Sequence, residues 1–148
     1  MRKFLLPIIN LVNLILVSIA WGLSNQSAIT DKSGVGRATM YDIVWMGTKP
    51  NVLAIVAFFL FCFACLATLI AFLPVKVRKF VACLGGLMYV GSGVLFLIAH
   101  HTPKFFDRSI VEPELTGAYI AFCVLILVAG AFSLLMSVID FMAKKEAK

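Results

Sequence analysis

VLAIVAFFLFCFACLATLIAFL, residues 52–73, runs for 22 positions without one charged side chain. At 1.5 Å of rise per residue, a helix of that length covers about 33 Å. That is enough to cross a hydrocarbon layer about 30 Å thick. Three more runs of the same kind flank it: FLLPIINLVNLILVSIAWGL at 4–23, FVACLGGLMYVGSGVLFLIA at 80–99 and GAYIAFCVLILVAGAFSLLMSVI at 117–139. Each can span once and none can span twice. In lipid only helices and closed barrels satisfy their own backbone groups. Barrel strands alternate apolar and polar residues over about ten positions, whereas these runs are solid apolar blocks. The sequence therefore reads as an all-α integral membrane protein of four transmembrane helices, one domain over residues 1–148.

Composition agrees. Of 148 residues, 62% are hydrophobic and 14% charged, with a mean hydropathy of +1.04. A soluble domain has about 45–50% apolar and about 25% charged residues, so a water-soluble globule is excluded. The opening Met1-Arg2-Lys3 and the small residues Ser18 and Ala20 imitate a signal peptide, but the apolar run exceeds the usual 7–15 residues. A retained first span is expected.

The charges set an expected orientation. With both ends of the chain cytoplasmic, Arg2, Lys3, Lys76, Arg78, Lys79, Lys144, Lys145 and Lys148 lie inside with Asp140 and Glu146, a balance of +6. Lys32, Arg37, Lys49, Lys104 and Arg108 lie outside with five acids, a balance of zero. That asymmetry is the positive-inside pattern, and Trp21 and Trp45 would stand in the outer aromatic belt. An N-in/C-in protein of the plasma (cytoplasmic) membrane is expected. The basic balance does not call for a nucleic-acid partner, because the 76–79 charges form a short turn between spans and face anionic lipid head groups.

The connections differ in length. Residues 74–79 make a tight turn, so the second and third spans are antiparallel neighbours. The first outer loop, 24–51, is long for an unstructured connector. Within it, Ser27–Thr30 and Val35–Met40 flank a turn ending in Gly34, the pattern of a β-hairpin, and 41–45 could add a third short strand. The second outer loop, 100–116, contains two prolines and Phe105-Phe106. This layout is similar to that of claudin-type tetraspan proteins, which have cytoplasmic ends and a large, stranded first loop. The resemblance covers layout only: Trp45 lacks that family's W–GLW–C–C context, and the outer loops hold no cysteine.

Little in the chain offers chemistry. No ionisable Asp, Glu, Lys, Arg or His lies within the four apolar runs, and ion pumps and proton-coupled carriers need such groups at membrane depth. Asp140 stands at the inner end of the fourth span with Lys144 as its i+4 partner. Cys62 and Cys65 form a CxxC, but near the bilayer centre, where apolar surroundings disfavour the reactive thiolate; with Cys83 and Cys123 they read as small packing residues. His100 and His101, followed by Asp107, Glu112 and Glu114, are the weak candidates for a metal, although consecutive residues on a helix point about 100° apart. No cofactor is expected.

Small and polar residues inside the runs are the richer signal. Ala57, Ala64 and Ala71 recur every seven residues, Ala82 and Gly86 are four apart, and Ala129, Ser133 and Ser137 form one ridge. Such stripes let membrane helices approach closely. Asn10 and Asn13 share one side of the first span. Asn10, Thr68, Ser133 and Ser137 fall at similar depth, where they would form one hydrogen-bonded layer tying spans one, two and four; alternatively they line a polar vestibule open to the cytoplasm. The expected role is non-enzymatic: an accessory or scaffold subunit of a membrane complex, partnered by lipids and by other membrane subunits or copies of itself. The alternatives are an oligomeric pore or carrier for a neutral or lipidic solute, and membrane thiol-redox chemistry.

Overall fold

Four helices carry the four apolar runs: α1 (Arg2–Ser24), α2 (Val52–Ile70), α3 (Arg78–Ala99) and α4 (Gly117–Glu146). All four are long and apolar enough to cross a membrane. The computed structural model describes residues 2–25, 27–30, 37–39, 44, 52–73, 76–99 and 114–146. The helix ends have local causes. Before Pro74, a residue type that disfavours helix in its predecessor, α2 stops at Ile70 and tightens into a turn, with Phe72 N–H bonding Leu69 O at 3.2 Å and Leu73 N–H bonding Ile70 O at 3.0 Å. The hydroxyl of Thr116 accepts from Tyr119 N–H at 3.2 Å and so caps α4 three residues before its first free donors run out. Ser24 Oγ donates to Trp21 O at 2.6 Å, meeting a last-turn carbonyl of α1. The apolar runs set the helices but not their full length: α4 continues seven residues past 139, carrying Asp140 with it.

The starts of α1 and α3 and the ends of α2 and α4 share one end of the bundle, called here the terminal end. Around the bundle the order is α1, α4, α3, α2; α1 touches α2 only sparsely. Glycines set the closest approaches. A Cβ added at Gly86 would lie 2.7 Å from Leu134 Cγ and 3.1 Å from Gly130 O; one added at Gly130 would lie 2.8 Å from Val90 Cγ2 and 3.0 Å from Gly86 O. The two glycines thus face each other across the α3–α4 crossing, the close contact that small residues permit in lipid. On the neighbouring face of α3, a Cβ at Gly85 would meet Ala67 Cβ of α2 at 2.9 Å.

At the opposite end, three short strands pair antiparallel in the order β2-β1-β3: β1 (Ser27–Thr30), β2 (Arg37–Thr39) and β3 (Glu114–Leu115). Ile29 pairs with both Ala38 and Leu115, so the two connections at this end are joined through backbone bonds. The expected turn at 31–34 lies outside the described residues. Of the expected third strand at 41–45 only Val44 lies within the described residues, and it is helical; among the described residues the third strand is β3, from the other connection. Val44 is buried in the core with Val17, Ala20, Tyr119 and Phe122, seating the 24–51 connection on the bundle.

Candidate functional site

Most of the buried polar side chains inside the apolar helices gather in the terminal half of the bundle. From α1, Asn10 Nδ2 donates to Thr68 O of α2 at 3.3 Å, and Asn13 Nδ2 donates to Ser133 Oγ of α4 at 2.7 Å. Thr68 Oγ1 meets Tyr89 OH of α3 at 2.7 Å and also donates to Ala64 O one turn back. Ser137 Oγ donates to Lys79 O of α3 at 2.8 Å. Asn10, Asn13, Thr68, Ser133 and Ser137 are all buried. They do not form the single layer expected from their depths. Ser133 takes Asn13 rather than Asn10, Ser137 reaches α3, and the Thr68 hydroxyl serves α3 through Tyr89. Neighbour order is the reason: α4 lies between α1 and α3, so spans two and four stand diagonally and meet through the rings of Phe61 and Phe122 rather than through polar side chains. Each such bond in a membrane bundle contributes about 0.6 kcal/mol.

The small residues of the sequence reading, Ala57, Ala64, Ala71, Ala82, Gly86 and Ala129, are buried too. Ala57 O accepts from Ser92 Oγ of α3 at 2.7 Å, a bond its own stripe did not announce. Gly85, Gly130, Tyr89 and Tyr119 (whose hydroxyl donates to Phe96 O) complete the contacts. The i+4 rule does not reveal them, since each looks across to another helix.

Below this belt, at the terminal end, Arg78 holds Asp140 with both arms: Nε to Oδ2 and Nη2 to Oδ1, each at 2.9 Å. The partner of Asp140 lies 62 residues away on α3, where the sequence pointed to Lys144, whose side chain lies outside the described residues. The paired side chains are 31% and 16% exposed, which keeps the pair at the boundary between protein and water. Lys79 Nζ sits 4.3 Å from the centre of the Phe141 ring and 4.8 Å from that of Phe80, and the two rings meet edge to face. A cavity lies beside the pair, lined by Leu6, Pro7 and Asn10 of α1, Ala71 and Phe72 beyond α2, Arg78 and Met136.

The opposite half is aromatic. Phe61 of α2 touches Trp21, Tyr89 and Phe122 at ring distances of 5.1, 6.2 and 5.6 Å, and Phe96 meets Phe122 at 5.3 Å. Trp21 is therefore a partner of the core rings, not only the belt residue its place at the end of a run implied. The four cysteines are free thiols; Cys123 is buried and Cys62, Cys65 and Cys83 are half-buried. His100 and His101 lie outside the described residues, as do Asp107 and Glu112. Among the described residues, no group of three His, Cys, Asp or Glu side chains could hold a metal ion. Among the described residues, the site presents hydrogen bonds and the Arg78–Asp140 ion pair.

No family model, no curated protein and no solved structure matches the chain.

Proposed function

We propose that the protein is a non-enzymatic accessory or scaffold subunit of a plasma-membrane complex, with both ends of the chain cytoplasmic and the stranded 24–51 connection outside. The observation that carries this reading is the division of side chains between inside and outside. Large rings close the interior, where Phe61, Tyr89, Phe96 and Phe122 are less than 2% exposed. The flanks are coated with large apolar groups, among them Leu11, Ile15, Phe63, Leu87, Val124 and Val138. A body built this way meets its surroundings through lateral apolar contact with lipid, with other subunits or with copies of itself. Since the small-residue stripes are buried within the bundle, any partner docks on the larger apolar flanks or on the connections. Native mass analysis after mild detergent extraction tests this. A stoichiometric second polypeptide is expected, and a lone monomer would overturn it.

A closed ring of identical chains would instead favour the second reading, a pore or carrier for a neutral or lipidic solute, which the cavity beside Asn10 supports. The orientation has its own test. Ser33→Cys is expected to react with an impermeant thiol reagent from outside the cell and Val77→Cys only after the inner face is opened; the reverse would invert the orientation.

A further inference from the structure

We infer that the cavity between α1 and the end of α2 is a water-filled vestibule whose water bonds Asn10 and continues one helical turn to Asn13. The space is about 40 Å³ measured at the centres of water-sized spheres, and one water needs about 10–15 Å³ by that measure. About three or four waters fit. Polar and apolar groups share its walls about equally, and Asn10 and Arg78 give it polar partners at two levels, which a bound water requires.

The unsatisfied atoms identify the ligand. Asn10 is 3% exposed, and its Nδ2 is committed to a backbone carbonyl, Thr68 O. That bond fixes the amide orientation, since a carbonyl only accepts, and leaves Oδ1 as the group without a bonded partner among the described residues. Asn13, 1% exposed, has its Oδ1 buried without a partner. Three residues along a helix means about 4.5 Å of rise and about 60° of net rotation, so the two amides follow one another up the same side of α1. Pro7, also on the wall, has no N–H and so leaves the Lys3 carbonyl without its usual helical donor. These groups are acceptors, and Asn13 Oδ1, buried without a partner, is costly if left dry. An anion, which brings only acceptors, does not suit them; water, which donates twice, does. At the mouth, Arg78 uses Nε and Nη2 on Asp140, and Nη1 can donate to water.

Cysteine labelling in membrane vesicles reads this directly, with a small charged methanethiosulfonate as probe and each site resolved by peptide mass. Val77→Cys, in the exposed turn of the terminal end, shows which vesicles present that end. Ala71→Cys leaves both asparagines in place and lines the cavity. It is expected to label at least about tenfold faster than Leu11→Cys, which faces lipid at the depth of Asn10, because only hydrated thiols ionise and react. Asn10→Cys is expected to behave like Ala71→Cys, and Asn13→Cys to label more slowly but still above Val12→Cys. Equal rates at Ala71→Cys and Leu11→Cys in folded protein would overturn the vestibule. Labelling at Asn10→Cys with none at Asn13→Cys would overturn its extension to the second turn. Adding Met136→Trp should suppress labelling of Ala71→Cys; undiminished labelling would show that the reagent arrives by another route and overturn the assignment.

Discussion

The two halves of this bundle are held by different forces. Near the sheet end, rings meet edge to face around Phe122, and Gly93, where an added Cβ would lie 2.8 Å from Leu127, lets α3 and α4 close on each other. Near the terminal end, amides, hydroxyls and one ion pair link each helix to a neighbour, and packing leaves a cavity. Lipid tails are as apolar as leucine, so burial from water drives neither half; dispersion and hydrogen bonding must do so. The aromatic half gains from shape and tolerates no change of volume. The polar half gains from pairing and tolerates volume change only where a partner survives.

The largest expected effect is in the aromatic half. Phe122→Ala removes a fully buried ring in contact with Phe61, Phe96 and Tyr119 and should cost about 3 kcal/mol, from lost contacts and the cavity left behind. Thermal unfolding in detergent measures it, and a loss below that of any polar-half variant would reverse the comparison. Gly130→Val should come next, losing about 1–3 kcal/mol by overpacking against Val90 and the Gly86 carbonyl. Ser133→Leu belongs with it, because Ser133 is buried against Asn13. Val128→Leu, on an exposed position of the same helix, is the control expected to be silent.

The ion pair should be intermediate. Arg78→Ala leaves Asp140 without its two bonds; because both groups are partly exposed, a double-mutant cycle with Asp140→Ala should return about 1–2 kcal/mol of coupling, below the range for fully buried pairs. The coupling should shrink with added salt, and salt-insensitive coupling would mean that packing rather than charge dominates. Smallest is Asn10→Ala, about 0.6 kcal/mol for one long interhelical bond.

The spans were legible because length and absence of charge are properties of a single segment. Pairing was not, because it depends on which helix lies beside which. Sequence adjacency suggests that α1 lies against α2, yet its main neighbour is α4, so Asn13 finds Ser133 and Asn10 meets only the backbone of α2. Gly130 sits in the sequence as one small residue among several, and only its position opposite Gly86 makes it the closest crossing. Asp140 had an eligible partner within one turn, Lys144, but the bidentate bond it makes is to Arg78 on another helix, whose planar guanidinium matches a carboxylate in a way an ammonium does not. Trp21 looked like a belt residue because run ends and belts coincide in sequence, while its ring turns inward to Phe58 and Phe61.

The placement of α1 against α4 also bears on how the chain is made. Asn13 and Ser133 are 120 residues apart, and ribosomes add about 5–20 residues per second. The first helix therefore waits roughly 6–24 s for its partner, with two amides in or near the bilayer. During that interval the α2–α3 pair, joined by its short turn, can already form. Until α4 emerges, the interhelical hydrogen bond open to α1 among the described residues is that of Asn10 to Thr68 of α2, so the α1–α4 contact is the last in the bundle to close.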